Sequence, residues 1–421
     1  MADPNSLPLS RSSVLAAHTL ITPYIHRTPV LTSTYLDQLA STPRTAAELA
    51  DTPWAGQTPA NPKIRLWFKC ENFQKIGAFK ARGAFHSLLR LVESEGWEEG
   101  GGRERGVVTH SSGNHAQAVS LASATLKIPA HIVMPRISTP AKIAATQSYG
   151  ARVLFSGSTA PEREAVVAEV IKETGSTLIP PYDHPHVMIG QGTAGLELQE
   201  QVVEAQKEGK KGKGGLNAII TPCGGGGLLS GTALSAEGTG ILVFGAEPEF
   251  EGADDCKRGL AAGKRIEVVK SLTIGDGLRT PAEGTGILVF GAEPEFEGAD
   301  DCKRGLAAGK RIEVVKSLTI GDGLRTPVGA WPWKVISNEK LVRGVYSVTE
   351  EQIKATLRLV LERMKVVVEP SAVVGLAVAL WNEDFRKVVE KEGAGEEFDL
   401  GVVFTGGNVN LEGLGKLFEA K

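Results

Sequence analysis

The chain has 421 residues, of which 42% are hydrophobic and 23% charged, and 46 Lys plus Arg against 49 Asp plus Glu leave a formal net charge of −3. These values exclude a disordered or fibrous chain, and without a basic excess nothing points to nucleic acid as a partner. Four cysteines are too few for a disulfide framework, no apolar run reaches the ~20 residues that span a bilayer, and residues 1–12 lack a signal peptide's basic-then-apolar order, so a cytoplasmic protein with no membrane partner is expected.

In chain order, short β-branched runs at 106–109, 130–134, 216–221, 241–246 and 400–404 predict strands. Helical patterns stand between them, which predicts an α/β architecture with parallel sheet. Residues 41–62, rich in Thr, Ala and Pro, and 207–215, rich in Lys and Gly, read as solvated surface loops. Thr349 with Gln352 three residues on forms a capping box, followed by one apolar stripe of Ile353, Leu357, Val360, Leu361 and Met364. Residues 236–281 recur without one change as 282–327. Two copies do not make a solenoid, so the 46-residue repeat reads as a recent duplication or a gene-model accident, without which the chain would have 375 residues.

Four segments carry chemistry. The run Cys223-Gly224-Gly225-Gly226-Gly227 stands between a predicted strand and helix, where glycine N–H groups make an anion site. It fails the dinucleotide pattern, with Leu229 or Ser230 at the sixth position, and it lacks a P-loop's Gly-Lys-Ser/Thr end. A phosphate-bearing cofactor other than NAD is therefore favoured. A second turn, Thr405-Gly406-Gly407-Asn408, follows the last strand at the sheet's carboxyl edge. Residues 109–115 crowd hydroxyls, an amide and two imidazoles around Gly113. Finally, Lys80 sits between Phe79 and Ala81, and a lysine desolvated in such surroundings can attack a carbonyl. An amine, a phosphate cradle and a hydroxyl-bearing turn together are what pyridoxal phosphate needs.

Taken in order, ENFQKIGAFKARGA, SSGNHAQA, GQGT, GGGGLLSG, ERMKVVVEPSA and TGGNV resemble the segments of fold-type II pyridoxal-phosphate enzymes of the serine racemase and serine/threonine dehydratase group. The resemblance covers nearly the whole chain. It implies a two-domain α/β fold like the tryptophan synthase beta subunit, each domain an open, mostly parallel sheet flanked by helices. The large domain would comprise 1–103 and 184–421, the small domain 104–183, and the assembly would be a homodimer. Lys80 would hold the cofactor as a Schiff base and act as catalytic base, with Ser112 as the second acid/base on the opposite face. Phe79, Asn114, Gly224, Gly225, Gly226, Gly227 and Thr405 would bind the cofactor, and Ser111, His115 and Arg163 the substrate.

The same resemblance implies a divalent cation, Mg²⁺ or Ca²⁺, on Glu247, Ala253 and Asp255, or on the copies Glu293, Ala299 and Asp301. Glu247 and Asp255 stand further apart than is usual, and Ala78 replaces a common serine, in the manner of fungal serine racemases and 3-hydroxyaspartate dehydratases. The implied activity is a dehydratase (ammonia-lyase) on L-serine- or L-threonine-type β-hydroxy amino acids, with serine racemisation as a companion. The alternatives are a threo-3-hydroxyaspartate dehydratase and a duplication-damaged chain that only binds cofactor. A hybrid is expected in which Glu247 and Asp255 come from the first copy while 321–323, from the second, line the cofactor.

Overall fold

Strands covered on both faces must be apolar at nearly every position. Strands β2 (Ile64–Cys70), β7 (Ala218–Pro222) and β12 (Phe398–Phe404) are buried throughout and have that character apart chiefly from Arg65, Lys69 and Asp399, which are ion-paired. The computed structural model describes residues 8–111, 113–157, 160–209, 214–249, 254–266, 269–270, 315–316, 319–321, 324 and 328–419. In it these three strands form the middle of a six-stranded sheet ordered β1-β2-β12-β7-β8-β11, completed by β1 (Val30–Leu31), β8 (Leu242–Pro248) and β11 (Gly344–Val348). Every pairing is parallel except that of β1 with β2. A second sheet, ordered β5-β4-β3-β6, is parallel throughout and consists of β3 (Val107–His110), β4 (Ala130–Pro135), β5 (Arg152–Ser156) and β6 (Thr177–Leu178). The fold is thus α/β, and the five predicted strands lie within two residues of their expected ends.

The large sheet's core includes Phe68 stacked on Phe404, with centroids 4.9 Å apart. On the sheet's other face, at Trp67 and Val403, packs the helix Pro185–Lys207, which crosses the helix Gly227–Ala236 at a glycine pair. A Cβ on Gly192 would stand 2.4 Å from the Gly231 carbonyl oxygen, so this approach tolerates no side chain. The capping box of Thr349 and Gln352 forms, and Ile353, Leu357 and Val360 are buried behind it.

The loop reading of 41–62 needs correction. The segment contains a helix, Ala46–Leu49, closed by a capping box of Thr45 and Glu48. Arg44 is buried with its guanidinium 4.3 Å from the Trp381 ring centroid, and the Ala60 N–H donates to Glu383 at 2.7 Å. All these anchors lie more than three hundred residues away in sequence, where local pattern carries no trace of them. In 207–215, the Pro185–Lys207 helix ends as the run begins, and Gln206 Oε1 accepts the Gly214 and Gly215 N–H groups at 3.1 and 2.6 Å. Residues 210–213 lie outside the described residues.

The two copies contribute different parts. The first supplies β8 and the helix Asp255–Ala261. The second supplies Ile320, whose N–H donates to Glu350 at 2.7 Å, and Leu324. The Val328 N–H, just past the second copy, donates to Asp255 of the first at 2.9 Å. Two short strands, β9 (Val269–Lys270) and β10 (Val315–Lys316), pair in parallel with the same residues of each copy facing each other. Glu293, Ala299 and Asp301 lie outside the described residues, as do Ala253 and Ser112.

Candidate active site

Main-chain bonds draw two distant segments together. The Phe79 N–H donates to the Thr405 carbonyl at 3.0 Å and the Gly407 N–H to that of Gly77 at 2.9 Å, while Ala78 bridges Gly406. Lys80, first residue of the helix Lys80–Val92, is thereby fixed beside the turn that ends β12. The glycine run follows β7 and opens the helix Gly227–Ala236. Gly226 has φ +81°, and a Cβ on Gly225 would lie 2.4 Å from the Tyr182 ring, so both positions require glycine. At a helix start the first N–H groups have no intrahelical acceptor, which favours an anion.

Both segments line one cavity of about 420 Å³. Phe79, Lys80, Ser111, Asn114, His115, all four glycines and Thr405 border it. Arg163 does not; it is buried in the helix Ala160–Thr174. Of the 321–323 run, Gly321 is not on the wall and the other two residues lie outside the described residues, but Leu324 borders the cavity.

Lys80 Nζ donates to the Pro181 carbonyl at 2.8 Å and lies 5.2 Å from the Phe79 ring centroid. Burial pulls its pKa down to about 8, against the opposing charge of Glu369. A sizeable fraction of this amine is therefore neutral, and nucleophilic, in mildly alkaline solution. Burial, helped by the charge of Lys80, drives the His115 pKa down to about 3. Its Nε2 lies 3.3 Å from the Ile179 carbonyl and 3.1 Å from Thr109 Oγ1, which itself donates to that carbonyl at 2.7 Å. Nε2 therefore carries the proton, and Nδ1 is a buried acceptor without a partner among the described residues. His115 is a neutral, fixed ring rather than a cation for a carboxylate. Ser111 Oγ accepts the Gly113 N–H at 3.2 Å.

Three further groups on this cavity escaped the sequence reading. Glu369 accepts from the Asn114 amide at 3.2 Å on both oxygens, and Asn408 Nδ2 donates to Asn114 Oδ1 at 2.8 Å. Tyr182 supports the glycine bend. The Glu-Pro step in ERMKVVVEPSA and the Asn of TGGN were in view, but which amide they would face is a tertiary fact.

Next to the glycine run lies a buried acidic cluster. Glu247 accepts the N–H groups of Cys256 and Lys257 at 3.1 and 2.8 Å. Burial, with Cys223 and Asp255 close by, pushes the Glu247 carboxyl well above its usual range, and burial raises Asp255 to about 8.

The donor set fits pyridoxal phosphate: a desolvated amine, a glycine-rich helix start, an amide and a hydroxyl border the same space. Comparison with known proteins agrees. The model of the family described as pyridoxal-phosphate dependent enzyme matches residues 48–288 and 282–406, two stretches that overlap inside the duplication. Serine racemase from Oryza sativa subsp. indica is 34% identical over 401 residues, covering 95% of this chain and 91% of that protein. L-threo-3-hydroxyaspartate ammonia-lyase from Saccharomyces cerevisiae is 32% identical over 411 residues, covering 97% and 96%. The solved structure of maize serine racemase superposes with a TM-score of 0.70 at 34% identity, covering 97% of this chain and 96% of that one.

Proposed function

Since the chain belongs to the pyridoxal-phosphate dependent enzyme family, we propose that it is an ammonia-lyase that removes water and then ammonia from serine- or threonine-type β-hydroxy amino acids, with serine racemisation as a companion reaction. The observation that carries this reading is the shared cavity of Lys80 and the four-glycine bend. Bound pyridoxal phosphate supplies an aldehyde for an amine and an electron-withdrawing ring. The chain's own residues do the rest. Lys80 Nζ, neutral in part at mildly alkaline pH, takes up the substrate's Cα proton. The four glycines and the helix start behind them hold the phosphate, and Asn114 and Thr405 orient the ring. Thr405 offers a neutral hydroxyl, which stabilises a protonated ring nitrogen less than a carboxylate would. That favours a reaction in which the β-hydroxyl leaves and carries the electrons away.

Ser112 is assigned the proton on the opposite face, which racemisation requires. Ser111 and the neutral His115 are assigned to the substrate's polar groups, whereas Arg163, off the cavity wall, is assigned no substrate contact. We place a divalent cation at the buried Glu247–Asp255 carboxylates beside the glycine bend. Residues 104–183 are assigned as a small domain that closes on the remainder and excludes water, in a cytoplasmic homodimer. Among the described residues no helix is long and apolar enough to cross a membrane. A second reading, dehydration of threo-3-hydroxyaspartate, is favoured by Ala78 and by the yeast relative named above.

Steady-state assays on L-serine, L-threonine and threo-3-hydroxyaspartate separate the two readings. Lys80→Ala should abolish turnover on all three and remove the visible absorbance of the lysine-bound cofactor. A Lys80→Ala protein that keeps both overturns the assignment.

A further inference from the structure

We propose that Cys223, Cys256 and Glu247 form a binding site for a thiophilic divalent cation of the zinc class. The inference rests on the cation reading given above and makes it specific. Three elements meet here. Cys223 follows β7 immediately before the glycine run, and its N–H donates to the Ala246 carbonyl at 2.7 Å, which ties it to β8. Glu247 belongs to β8, and Cys256 is the second residue of the helix Asp255–Ala261. The two sulfurs and a carboxylate oxygen of Glu247 lie within 4.8 Å of one another. Tetrahedral zinc with bonds of ~2.0–2.3 Å sets its ligands ~3.3–3.8 Å apart, so a contraction of at most about 1.5 Å completes three corners.

Cys223, Glu247 and Cys256 are each 0% exposed, so the cluster is sealed from water. A second observation points the same way. Asp255 is 1% exposed, and its Oδ1 has no partner among the described residues, although its Oδ2 accepts the Val328 N–H at 2.9 Å. Four acidic groups are thus buried together. Arg258, whose charge reaches Asp255 and Glu247, is bonded to Asp254 at 2.7 Å. Glu247 already accepts two N–H groups, but a carboxylate keeps further lone pairs for a metal.

A cation takes the place of the protons that these buried groups hold. Each thiol releases its proton to solvent and its sulfur forms a bond to the metal, so two protons leave as two sulfur–metal bonds form. A dithiolate corner selects a soft or borderline ion, whereas Mg²⁺ and Ca²⁺ take oxygen. Because Cys223 adjoins Gly224, the bound ion braces the phosphate end of the active cavity.

The test uses the full-length holoenzyme under reductant with Co²⁺ as probe. One equivalent should bind per chain with an intense thiolate-to-cobalt absorption in the near ultraviolet, which Zn²⁺ abolishes on addition. That absorption should fall at least tenfold in Cys223→Ser and in Cys256→Ser and persist in Cys70→Ser and Cys302→Ser. The chain has four cysteines, so in the Cys70→Ser/Cys302→Ser double variant only Cys223 and Cys256 remain. Its spectrum decides the matter even where a single variant fails to fold. Co²⁺ bound without thiolate absorption overturns the inference while leaving an oxygen-ligated cation standing; no bound metal overturns both. A Cys223–Cys256 disulfide in the reduced preparation also overturns it.

Discussion

Two buried charge clusters flank the active cavity, and they are built on opposite plans. Behind Lys80, Arg82 grips Glu71 and Glu197 at 2.7 and 2.8 Å, and Lys69 holds Glu197 at 2.7 Å, with all four side chains at most 1% exposed. Two cations meet two carboxylates, and the Thr28 carbonyl and Gln201 take the remaining lysine protons at 2.8 and 2.7 Å. Behind the glycine bend, by contrast, Cys223, Glu247, Asp255 and Cys256 gather four acidic groups. Burial is equal in the two places; the balance of charge is not. A cluster neutralised from within is a strut that holds the lysine-bearing helix, whereas the second, where carboxyls and thiols outnumber the single cation Arg258, is the place proposed above for a metal.

The largest effect should come from breaking the strut. Arg82→Met leaves two buried carboxylates facing one lysine, and removing one partner of a buried pair costs ~3–5 kcal/mol. Urea unfolding should show that loss, and an unchanged midpoint would mean the network is ornamental. The acidic cluster should respond to metal instead. At a free Zn²⁺ concentration of 100 Kd, linkage raises stability by ~2.7 kcal/mol, an increment that Glu247→Gln should remove and that Glu71→Gln should leave in place, read as the zinc-induced shift in Tm. Excising residues 271–316 joins the two copies at equivalent positions. It should raise stability by ~1–2 kcal/mol through shorter loop closure, and equal Tm values for the 421- and 375-residue chains would refute this.

Acidity separates the clusters further. Burial alone would raise the Glu197 pKa, but hydrogen bonds from His18 and Arg82 and the charges of Arg82 and Lys69 hold it well below its ordinary 4.5. The folded value is the lower one, so the strut's contribution is present above pH 4.5 and is lost as pH falls. Acid titration of Tm should show that loss, and it should vanish in Glu197→Gln. Reattachment of pyridoxal phosphate to the apo chain needs a neutral Lys80, so its rate should climb with pH and level off above about 8. The smallest effect belongs to the surface: Arg27 and Glu204 pair at 2.7 Å but are half exposed, and Arg27→Ala should cost under ~1 kcal/mol.

Much of this was legible without coordinates. Apolar runs such as Val402-Val403-Phe404 read as strands, because a strand covered on both faces has no polar side to offer, although Val366-Val367-Val368 has the same character and lies in no strand. Four successive glycines announce a close backbone approach for the same local reason, and Thr349 with Gln352 closes its helix within a single turn. What the linear order could not supply was partnership. Arg44 reads as a loop residue until Trp381 is brought over it, and nothing along the chain shows that burial holds His115 neutral. Asn114 meets Glu369 across more than two hundred residues. Propensity, capping and hydropathy act over a few bonds and can be read along the chain. Charge balance, desolvation and hydrogen-bond choice are properties of neighbours, and only the packed sheets decided who those neighbours are.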